Sequence, residues 1–285
     1  MLGGNQSVII SFIGAGLMGR GMVLNLMKHG HGLRVIAHRN RAVVDELVAR
    51  GAQEVGDYAT LARGADAVIL CVSNSPAVEA VLAKLAPHLA AGQIVIDTGT
   101  SEPASTERIA KDLAARGVFF ADAPMAGGTR QAEDGTIGIL LGCDEEVRPM
   151  AEPILACFAT TIRHFGPPGA GHRAKLFNNY LVMGMIALVA ETYTRARDAD
   201  INWDDLYAVM LNGSANSGVL RKMVEPALKG DFEGYQFSLA NALKDVQYFR
   251  HAGGASGMSK AVEEFFQEKG HGELNASRLL DPKVM

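Results

Sequence analysis

A lysine and two asparagines at helical spacing are the first residues of this sequence that could do chemistry. Lys175 and Asn179 are four positions apart, so a helix places both side chains on one face, with Asn178 flanking them. An amine can exchange a proton, and an amide can donate and accept hydrogen bonds. Polar side chains that begin a buried helix are costly unless they have partners or a function. The alternative is a lysine that extends to water and asparagines that act as helix caps.

A glycine-rich turn near the N-terminus is the second candidate site. The apolar run Ser7 to Ile13 is followed at once by Gly14-Ala15-Gly16-Leu17-Met18-Gly19 and then by a helical stretch. A strand, a tight turn and a helix in this order form the arrangement that binds dinucleotides. Gly14 permits the turn, Gly16 lets the backbone approach a pyrophosphate, and Gly19 lets helix and strand pack closely. The phosphates would lie at the N-terminus of the helix, where free N–H groups favour anions.

The end of the second predicted strand, Leu33 to Ala37, indicates which dinucleotide binds. Enzymes that use NAD place an acidic residue there for the ribose 2′-hydroxyl. This chain instead has His38-Arg39-Asn40-Arg41, and no carboxylate follows until Asp45 in the next helix. Arg39 and Arg41 could hold a 2′-phosphate through bidentate donors, so we expect NADP(H) in preference to NAD. The alternative is that both arginines are solvated loop residues.

Alternating strands and helices must position this turn. We predict strands at 67–72, 93–97 and 118–121, separated by helices that begin near Pro76 and Pro103. This alternation predicts a mainly parallel, doubly wound sheet with helices on both faces. Because ligands bind beyond the carboxyl ends of such strands, Ser73, Thr100 and the loop after Asp122 should line one rim.

The loop from Asp122 to Thr129 contains Gly127 and Gly128, whose two N–H groups could receive a carboxylate. It could also be a plain turn, because 136–141 is again strand-like.

After Gly166 no further strand is evident, and helices are predicted at 203–211, 219–228, 239–251 and 259–269. We therefore predict a Rossmann domain over 1–165 and an all-α C-terminal domain over 166–285. A long interdomain helix at about 172–197 would join them, with its apolar part, 181–190, buried on all sides.

Composition excludes several classes of function. The 285 residues carry a net charge of −4 without a basic tract, which argues against a nucleic-acid partner. No apolar run is long enough to span a bilayer, and no export signal is evident, so a cytoplasmic protein is expected. Three cysteines and eight histidines show no metal-ligand spacing, so no metal site is predicted.

Four motifs in order resemble the β-hydroxyacid dehydrogenase family, the 3-hydroxyisobutyrate dehydrogenase-like enzymes, over nearly the whole chain. The glycine turn with Phe12 and Ile13 resembles the opening fingerprint of the family. The segment 122–128, DAPMAGG, is similar to its DAPVSGG substrate loop. The segment 169–179 matches its GxGxxxKxxNN pattern, and Lys244-Asp245 match its late KD pair.

The resemblance implies hydride transfer between NADP(H) and a small acid, with a 6-phosphogluconate dehydrogenase-like C-terminal domain, no metal, and a homodimer or homotetramer. It implies that Lys175 is the catalytic acid–base and that Asn179 orients the lysine and the substrate. An ordinary lysine titrates near pH 10.4, so burial and a nearby Lys244 would have to favour the neutral amine. The substrate would contact Ala126, Gly127, Gly128 and Asn178. The cofactor would contact the glycine turn and a further set of residues: His38, Arg39, Asn40, Val72, Ser73, Thr100 and Lys244.

Two departures leave the substrate open. The serine that the family has before the paired glycines is Ala126 here, and its usual Ser-Thr after the fourth strand is Gly99-Thr100. Glyoxylate and the semialdehydes of succinate, tartronate and methylmalonate all fit the remaining polar contacts. An imine reductase-like enzyme and a non-enzymatic NADP-binding redox sensor are the alternative functions.

Overall fold

The computed structural model describes residues 7–38, 41–269 and 274–284. The chain folds into two compact units, Met1–Lys175 and Leu176–Met285. The strands are β1 (Ile9–Ile13), β2 (Gly32–Val35), β3 (Gln53–Glu54), β4 (Ala67–Leu70), β5 (Ile94–Asp97), β6 (Phe119–Asp122), β7 (Met125–Ala126), β8 (Ile137–Gly142) and β9 (Ala159–Gly166). The helices that accompany them are α1 (Leu17–Lys28), α2 (Arg41–Ala49), α3 (Tyr58–Ala62), α4 (Ser75–Leu85), α5 (Pro103–Ala114), α6 (Thr129–Asp134) and α7 (Arg148–Leu155). They are followed by α8 (Ala170–Asp198), α9 (Trp203–Asn212), α10 (Gly218–Ala227), α11 (Leu239–Phe249) and α12 (Gly257–Lys269).

The sheet of the first unit has the order β3-β2-β1-β4-β5-β6-β8-β7, and β9 also pairs with β8. The six strands from β3 to β6 are parallel, which confirms the predicted doubly wound α/β class. The chain runs outward from β1 to β3 and then returns to place β4 on the other side of β1. The carboxyl ends of β1 and β4 are therefore the point where the strand order reverses, which is where ligands bind in open α/β sheets.

Alternating side chains of the parallel strands fill a core on each face of the sheet. In β4 and β5, Ala67, Ile69, Ile94 and Ile96 pack with α1 and α7 on one face, and Val68, Leu70 and Val95 pack with α3 to α5 on the other. Strands buried on both faces read as continuous apolar runs, which is why the sequence identifies them.

Three strands were not predicted. The two-residue β3 and β7 are too short to show a hydrophobic period. β9 contains polar residues that are exposed, such as Thr160 and Arg163, or half-buried, such as His164, so it lacks the apolar run of a buried strand. Because β7 pairs antiparallel with β8, the predicted loop 122–129 contains a strand and continues into α6.

The second unit is helical, as predicted. Its core contains Met183, Ile186, Tyr193, Met223 and Phe266, together with smaller residues of α10 to α12. The helix predicted at 239–251 ends two residues earlier, at Phe249. An irregular turn, Arg250–Gly254, follows it, in which Gly253 has φ 97°.

The prediction that 181–190 is buried on all sides was wrong. Phe177, Leu181 and Leu188 are 55%, 66% and 65% exposed, and they form an apolar stripe along α8. Residues of the opposite face, among them Met183 and Ile186, fill the core. An all-round apolar pattern fits a helix with two apolar faces as well as a fully buried one. No helix within the described residues is long and apolar enough to cross a membrane.

Candidate active site

The glycine turn connects β1 to α1 with little free space on its inner side. Gly14 has φ 100°, and a Cβ atom there would lie 2.2 Å from the Cys71 carbonyl oxygen at the end of β4. The Gly16 N–H donates to the Gly14 carbonyl oxygen at 2.7 Å. A Cβ on Gly19 would lie 2.3 Å from the same oxygen and 2.8 Å from the Phe12 ring, so α1 lies directly on β1.

The outer side of the turn is open. An ideal Cβ on Gly16 meets no described atom within 4 Å, and Leu17 is 79% exposed. Ala15 is buried, and Met18 is half-buried against the core. A tight turn whose outer backbone is accessible at a helix N-terminus fits the pyrophosphate of a dinucleotide.

The neighbouring strand ends are aligned with this turn. The Cys71 N–H donates to the Ile13 carbonyl oxygen and the Thr98 N–H to that of Leu70, both at 2.8 Å. Val72 and Thr100 are half-buried and Ser73 is exposed, all just beyond these strand ends. The fold thus brings the glycine turn and these three predicted cofactor residues to one edge of the sheet.

The segment after β2, which the sequence predicts to bind the 2′-phosphate of NADP(H), is only partly described. His38 is exposed, whereas Arg39 and Asn40 lie outside the described residues. Arg41 donates to both carboxylate oxygens of Glu54, at 2.6 and 2.8 Å, and to Asp45 at 2.8 Å. A phosphate that binds Arg41 would therefore have to compete with two carboxylates for its guanidinium.

The predicted substrate loop is exposed and partly occupied by its own side chain. Ala126, Gly127 and Gly128 are all exposed, and Gly127 has φ 143°. The Gly128 N–H donates to Gln131 Oε1 at 2.9 Å, which caps the start of α6. A carboxylate that binds at Gly128 would have to replace this side chain.

A buried cluster that the sequence did not single out lies at the carboxyl ends of β5 and β6. Asp97 and Asp122 end these strands, and His172 lies in the first turn of α8; all three are fully buried. His172 Nε2 is 3.7 Å from Asp97 Oδ2, and its Nδ1 is 3.7 Å from Asp122 Oδ2 and 2.8 Å from Thr106 Oγ1.

Asp122 holds the start of α8. Its Oδ1 accepts the Gly169 N–H at 2.7 Å, and its Oδ2 accepts the His172 N–H at 2.6 Å. Burial raises the pKa of Asp122, while the His172 side chain and the two N–H donors act in the opposite direction. Two N–H groups directed at both oxygens suit an ionised carboxylate, so Asp122 supplies a helix cap from a distant strand.

Lys175 is half-buried in the second turn of α8, three residues after His172. Asn179 follows one turn later on the same helix. In the second unit the Asn179 amide donates to Asp245 Oδ2 at 2.6 Å, and Asn178 Nδ2 donates to Asn179 Oδ1 at 3.1 Å. Asn178 is exposed and Asn179 is buried.

The predicted KD pair has a defined geometry within the second unit. Lys244 Nζ lies 3.1 Å from Asp245 Oδ1 and 5.4 Å from the centre of the Tyr248 ring. Asp245 therefore fixes both Lys244 and Asn179.

Sequence reasoning did not identify Asp97, Asp122 and Asp245 as site residues. The available signal for Asp97 and Asp122 was a carboxylate at the end of an apolar strand, and Asp245 was recognisable only as part of a motif. Within the described ranges, no three or more His, Cys, Asp or Glu side chains are arranged so that they could hold a metal ion.

Two known protein families match this chain. Residues 9–166 match a family described as the NAD binding domain of 6-phosphogluconate dehydrogenase. Residues 169–276 match one described as NAD-binding of NADP-dependent 3-hydroxyisobutyrate dehydrogenase. Together the two matches cover most of the chain.

Individual relatives show the same class. The chain is 32% identical to 2-(hydroxymethyl)glutarate dehydrogenase of Eubacterium barkeri over 253 residues, 87% of this chain and 83% of that protein. It is 33% identical to 3-sulfolactaldehyde reductase of Escherichia coli (strain K12) over 212 residues, 73% of this chain and 71% of that protein. The structure of Mycobacterium tuberculosis 3-hydroxyisobutyrate dehydrogenase with L-serine has the same fold, with a TM-score of 0.87 at 23% identity over 96% of this chain and 98% of that chain.

Proposed function

Since the chain belongs to the β-hydroxyacid dehydrogenase family, we propose that it transfers a hydride between NADP(H) and a small 3-hydroxy acid or the matching semialdehyde. The observation that carries the proposal lies within the first unit. The helix that bears Lys175 starts at the carboxyl edge of the sheet, bonded to Asp122, and the open glycine turn lies at the same edge.

The residues at the glycine turn fit a dinucleotide. Gly14 and Gly19 leave no room for a side chain, and a Cβ on Gly16 would meet no described atom within 4 Å, so this turn would hold the pyrophosphate. Val72, Ser73 and Thr100 would contact the rest of the cofactor, and we propose Lys244 for the same role. When bound, the nicotinamide supplies or accepts the hydride.

Lys175 would move the proton. In reduction its ammonium form gives a proton to the carbonyl oxygen as that oxygen gains negative charge, which leaves the neutral amine, and in oxidation the neutral amine removes the hydroxyl proton. Asn179 would orient the substrate oxygen beside the amine. Its amide is already held by Asp245 and Asn178, so it needs little reordering when a substrate binds.

The acid group of the substrate would bind the backbone at Gly127 and Gly128, with Asn178 beside it. Ala126 offers no hydroxyl donor, and Gln131 occupies the Gly128 N–H in this structure. Gln131 would swing away, or would itself donate to the substrate through its amide. These features fit a small acid with few polar substituents, such as a semialdehyde of succinate, tartronate or methylmalonate, or glyoxylate.

Preference for NADP(H) is supported by the absence of a carboxylate from the sequence 36–44, together with Arg39. We also propose a homodimer or homotetramer, supported by the exposed stripe of Phe177, Leu181 and Leu188 on α8. The proposed location is the cytoplasm, as expected from the sequence. Residues 1–165 would supply most cofactor contacts and the Gly127–Gly128 substrate loop. Residues 166–285 would supply Lys175, the other substrate contacts, Lys244 and the oligomer interface.

The decisive assay is oxidation of NADPH with a panel of small aldehyde acids, comparing the wild-type protein with Lys175→Ala. We expect turnover by the wild type, none measurable by the variant, and equal affinity of both for NADPH, because Lys175 acts on the substrate and not on the nucleotide. A variant that turns over at the normal rate would remove the acid–base role.

Two other outcomes identify the alternatives. Tight NADPH binding without turnover of any acid would favour a redox sensor, which has no need of a proton donor. Turnover of cyclic imines in place of aldehydes would favour an imine reductase-like enzyme. A ratio of NADPH to NADH affinity near one would refute the proposed cofactor preference.

A further inference from the structure

We propose that Asp122 is a positioning residue for Lys175: its carboxylate, together with His172, fixes the first turn of α8 and so sets where the amine lies. The inference rests on the proposed function, because it assigns Asp122 an effect on turnover through Lys175. It concerns residues of the first unit alone.

The geometry is that of a clamp on a helix end. The first N–H groups of a helix have no partners within the helix. Here the Gly169 N–H and the His172 N–H, which bracket the start of α8, donate to the two oxygens of one carboxylate at 2.7 and 2.6 Å. A carboxylate held by two such bonds determines both the position of the turn along its axis and its rotation.

The His172 side chain connects the start of α8 to a second strand, β5, through Asp97. Its ring lies between Asp97 Oδ2 and Asp122 Oδ2, at 3.7 Å from each, and contacts the Thr106 hydroxyl of α5. Asp97 is itself fixed, since it accepts the Gly99 N–H and the Ser101 hydroxyl, each at 2.9 Å. The buried Cys143 thiol is a further titratable neighbour of Asp122, and Arg173 in the first turn of α8 pairs with Glu107 of α5 at 2.6 Å.

Two glycines show how closely the turn is seated. A Cβ on Gly171 would lie 2.3 Å from the Leu140 carbonyl oxygen and 2.8 Å from Asp122 Oδ2. A Cβ on Gly142 would lie 2.4 Å from Asp122 Oδ1. The backbone of α8 thus touches β8 and the carboxylate directly, and no side chain separates them.

Displacement of this turn must move Lys175. Lys175 follows His172 by three residues, which is about 4.5 Å along the helix and on the same face. An α-helix is stiff over that distance, so a shift of the first turn carries the amine with it. A misplacement of about 1 Å in a catalytic group can lower the rate about 100-fold.

Three substitutions test the proposal. Asp122→Asn keeps one acceptor but turns an NH₂ group towards the other N–H donor. His172→Gln keeps the backbone bond to Asp122 and loses the ring contacts. Gly171→Ala pushes the turn off β8 without changing any charge. Gly257→Ala is the control, because it is also at the start of a helix and its Cβ meets no described atom within 4 Å.

Each variant is assayed for kcat, for NADPH affinity, and for the pH dependence of kcat/KM. We expect Asp122→Asn and Gly171→Ala to lower kcat about 10- to 100-fold with unchanged NADPH affinity. His172→Gln should lose less, and Gly257→Ala nothing. The pH profile should also move, because the pKa of an amine depends on its distance from neighbouring charges.

The pH profile separates positioning from loss of folded protein. A variant that only folds less well lowers the rate in proportion to the fraction that binds NADPH at each pH, so its pH profile per NADPH-binding site is that of the wild type. This result would overturn the proposal, as would wild-type kinetics of Asp122→Asn and Gly171→Ala. Should Asp122→Asn fail to fold, the other two variants decide. Absence of turnover by the wild-type protein would refute the proposed function, and normal turnover of Lys175→Ala would refute the acid–base role. An inactive Lys175→Ala beside a fully active Asp122→Asn would refute only the positioning role.

Discussion

The glycine turn allows a structural role and a cofactor role to be separated by two neighbouring substitutions. Gly14→Ala would place a Cβ 2.2 Å from the Cys71 carbonyl oxygen, where ordinary contacts exceed 3 Å. That oxygen belongs to the backbone at the end of β4, so relief requires β1 and β4 to separate by about 1 Å in a close-packed sheet. The residue must also keep φ near 100°, which is unfavourable for alanine.

The expected cost of Gly14→Ala follows from these two effects. Left-handed backbone costs about 1–2 kcal/mol and overpacking about 1–3 kcal/mol, so the free energy of unfolding should fall by about 2–5 kcal/mol. Gly16→Ala is the matched variant. Its Cβ meets no described atom within 4 Å, so the loss in stability should be at most about 1 kcal/mol, from a poorer helix cap.

The effects on NADPH affinity should have the opposite order, with a larger loss for Gly16→Ala than for Gly14→Ala. The methyl group of Gly16→Ala would occupy the space through which the pyrophosphate approaches the backbone. We expect the Kd to rise about 10-fold or more, which corresponds to about 1.4 kcal/mol. Urea unfolding gives the stability, and fluorescence titration with NADPH gives the affinity.

Two results would refute this reasoning. A stable Gly14→Ala would show that the strand ends are not packed as closely as the 2.2 Å contact requires. A Gly16→Ala variant that binds NADPH as tightly as the wild type would show that the pyrophosphate does not lie on this turn.

Two further predictions concern an interface and a histidine. Leu181→Glu should reduce the number of subunits measured by sedimentation, because it places a charge on the exposed stripe. Val209→Glu is the control: it also replaces an exposed apolar residue but lies outside the stripe, so the subunit number should not change. An unchanged subunit number in both variants would exclude the stripe as an interface. Burial, and secondarily the charge of His29, lowers the pKa of His31. His31 therefore binds a proton more readily in the unfolded chain than in the folded protein. The free energy of unfolding is unaffected by His31 above its ordinary pKa near 6.5, and it decreases as the pH falls below that value. Urea unfolding on both sides of that pH should show a smaller loss for His31→Gln than for the wild type, and an identical loss would contradict the assignment.

The sequence by itself determined the elements whose signals are local. The turn at Gly14, the buried strands at 67–70 and 94–97 and the helices of the second unit depend on residue type and on periods of two or 3.6 residues. Such patterns reflect neighbouring residues along the chain, so they can be recognised without knowledge of the rest of the structure. The order of the motifs was enough to identify the family.

The tertiary structure alone decided the contacts between distant parts of the chain. The bonds from Asp122 to the start of α8 join residues 47 and 50 positions apart, and Thr106 meets His172 across 66. No local pattern encodes such pairs, because they depend on which strand ends lie side by side. The same reason explains the errors: β9 is defined by its pairing with β8, and the exposure of Leu181 depends on which face of α8 the other helices cover.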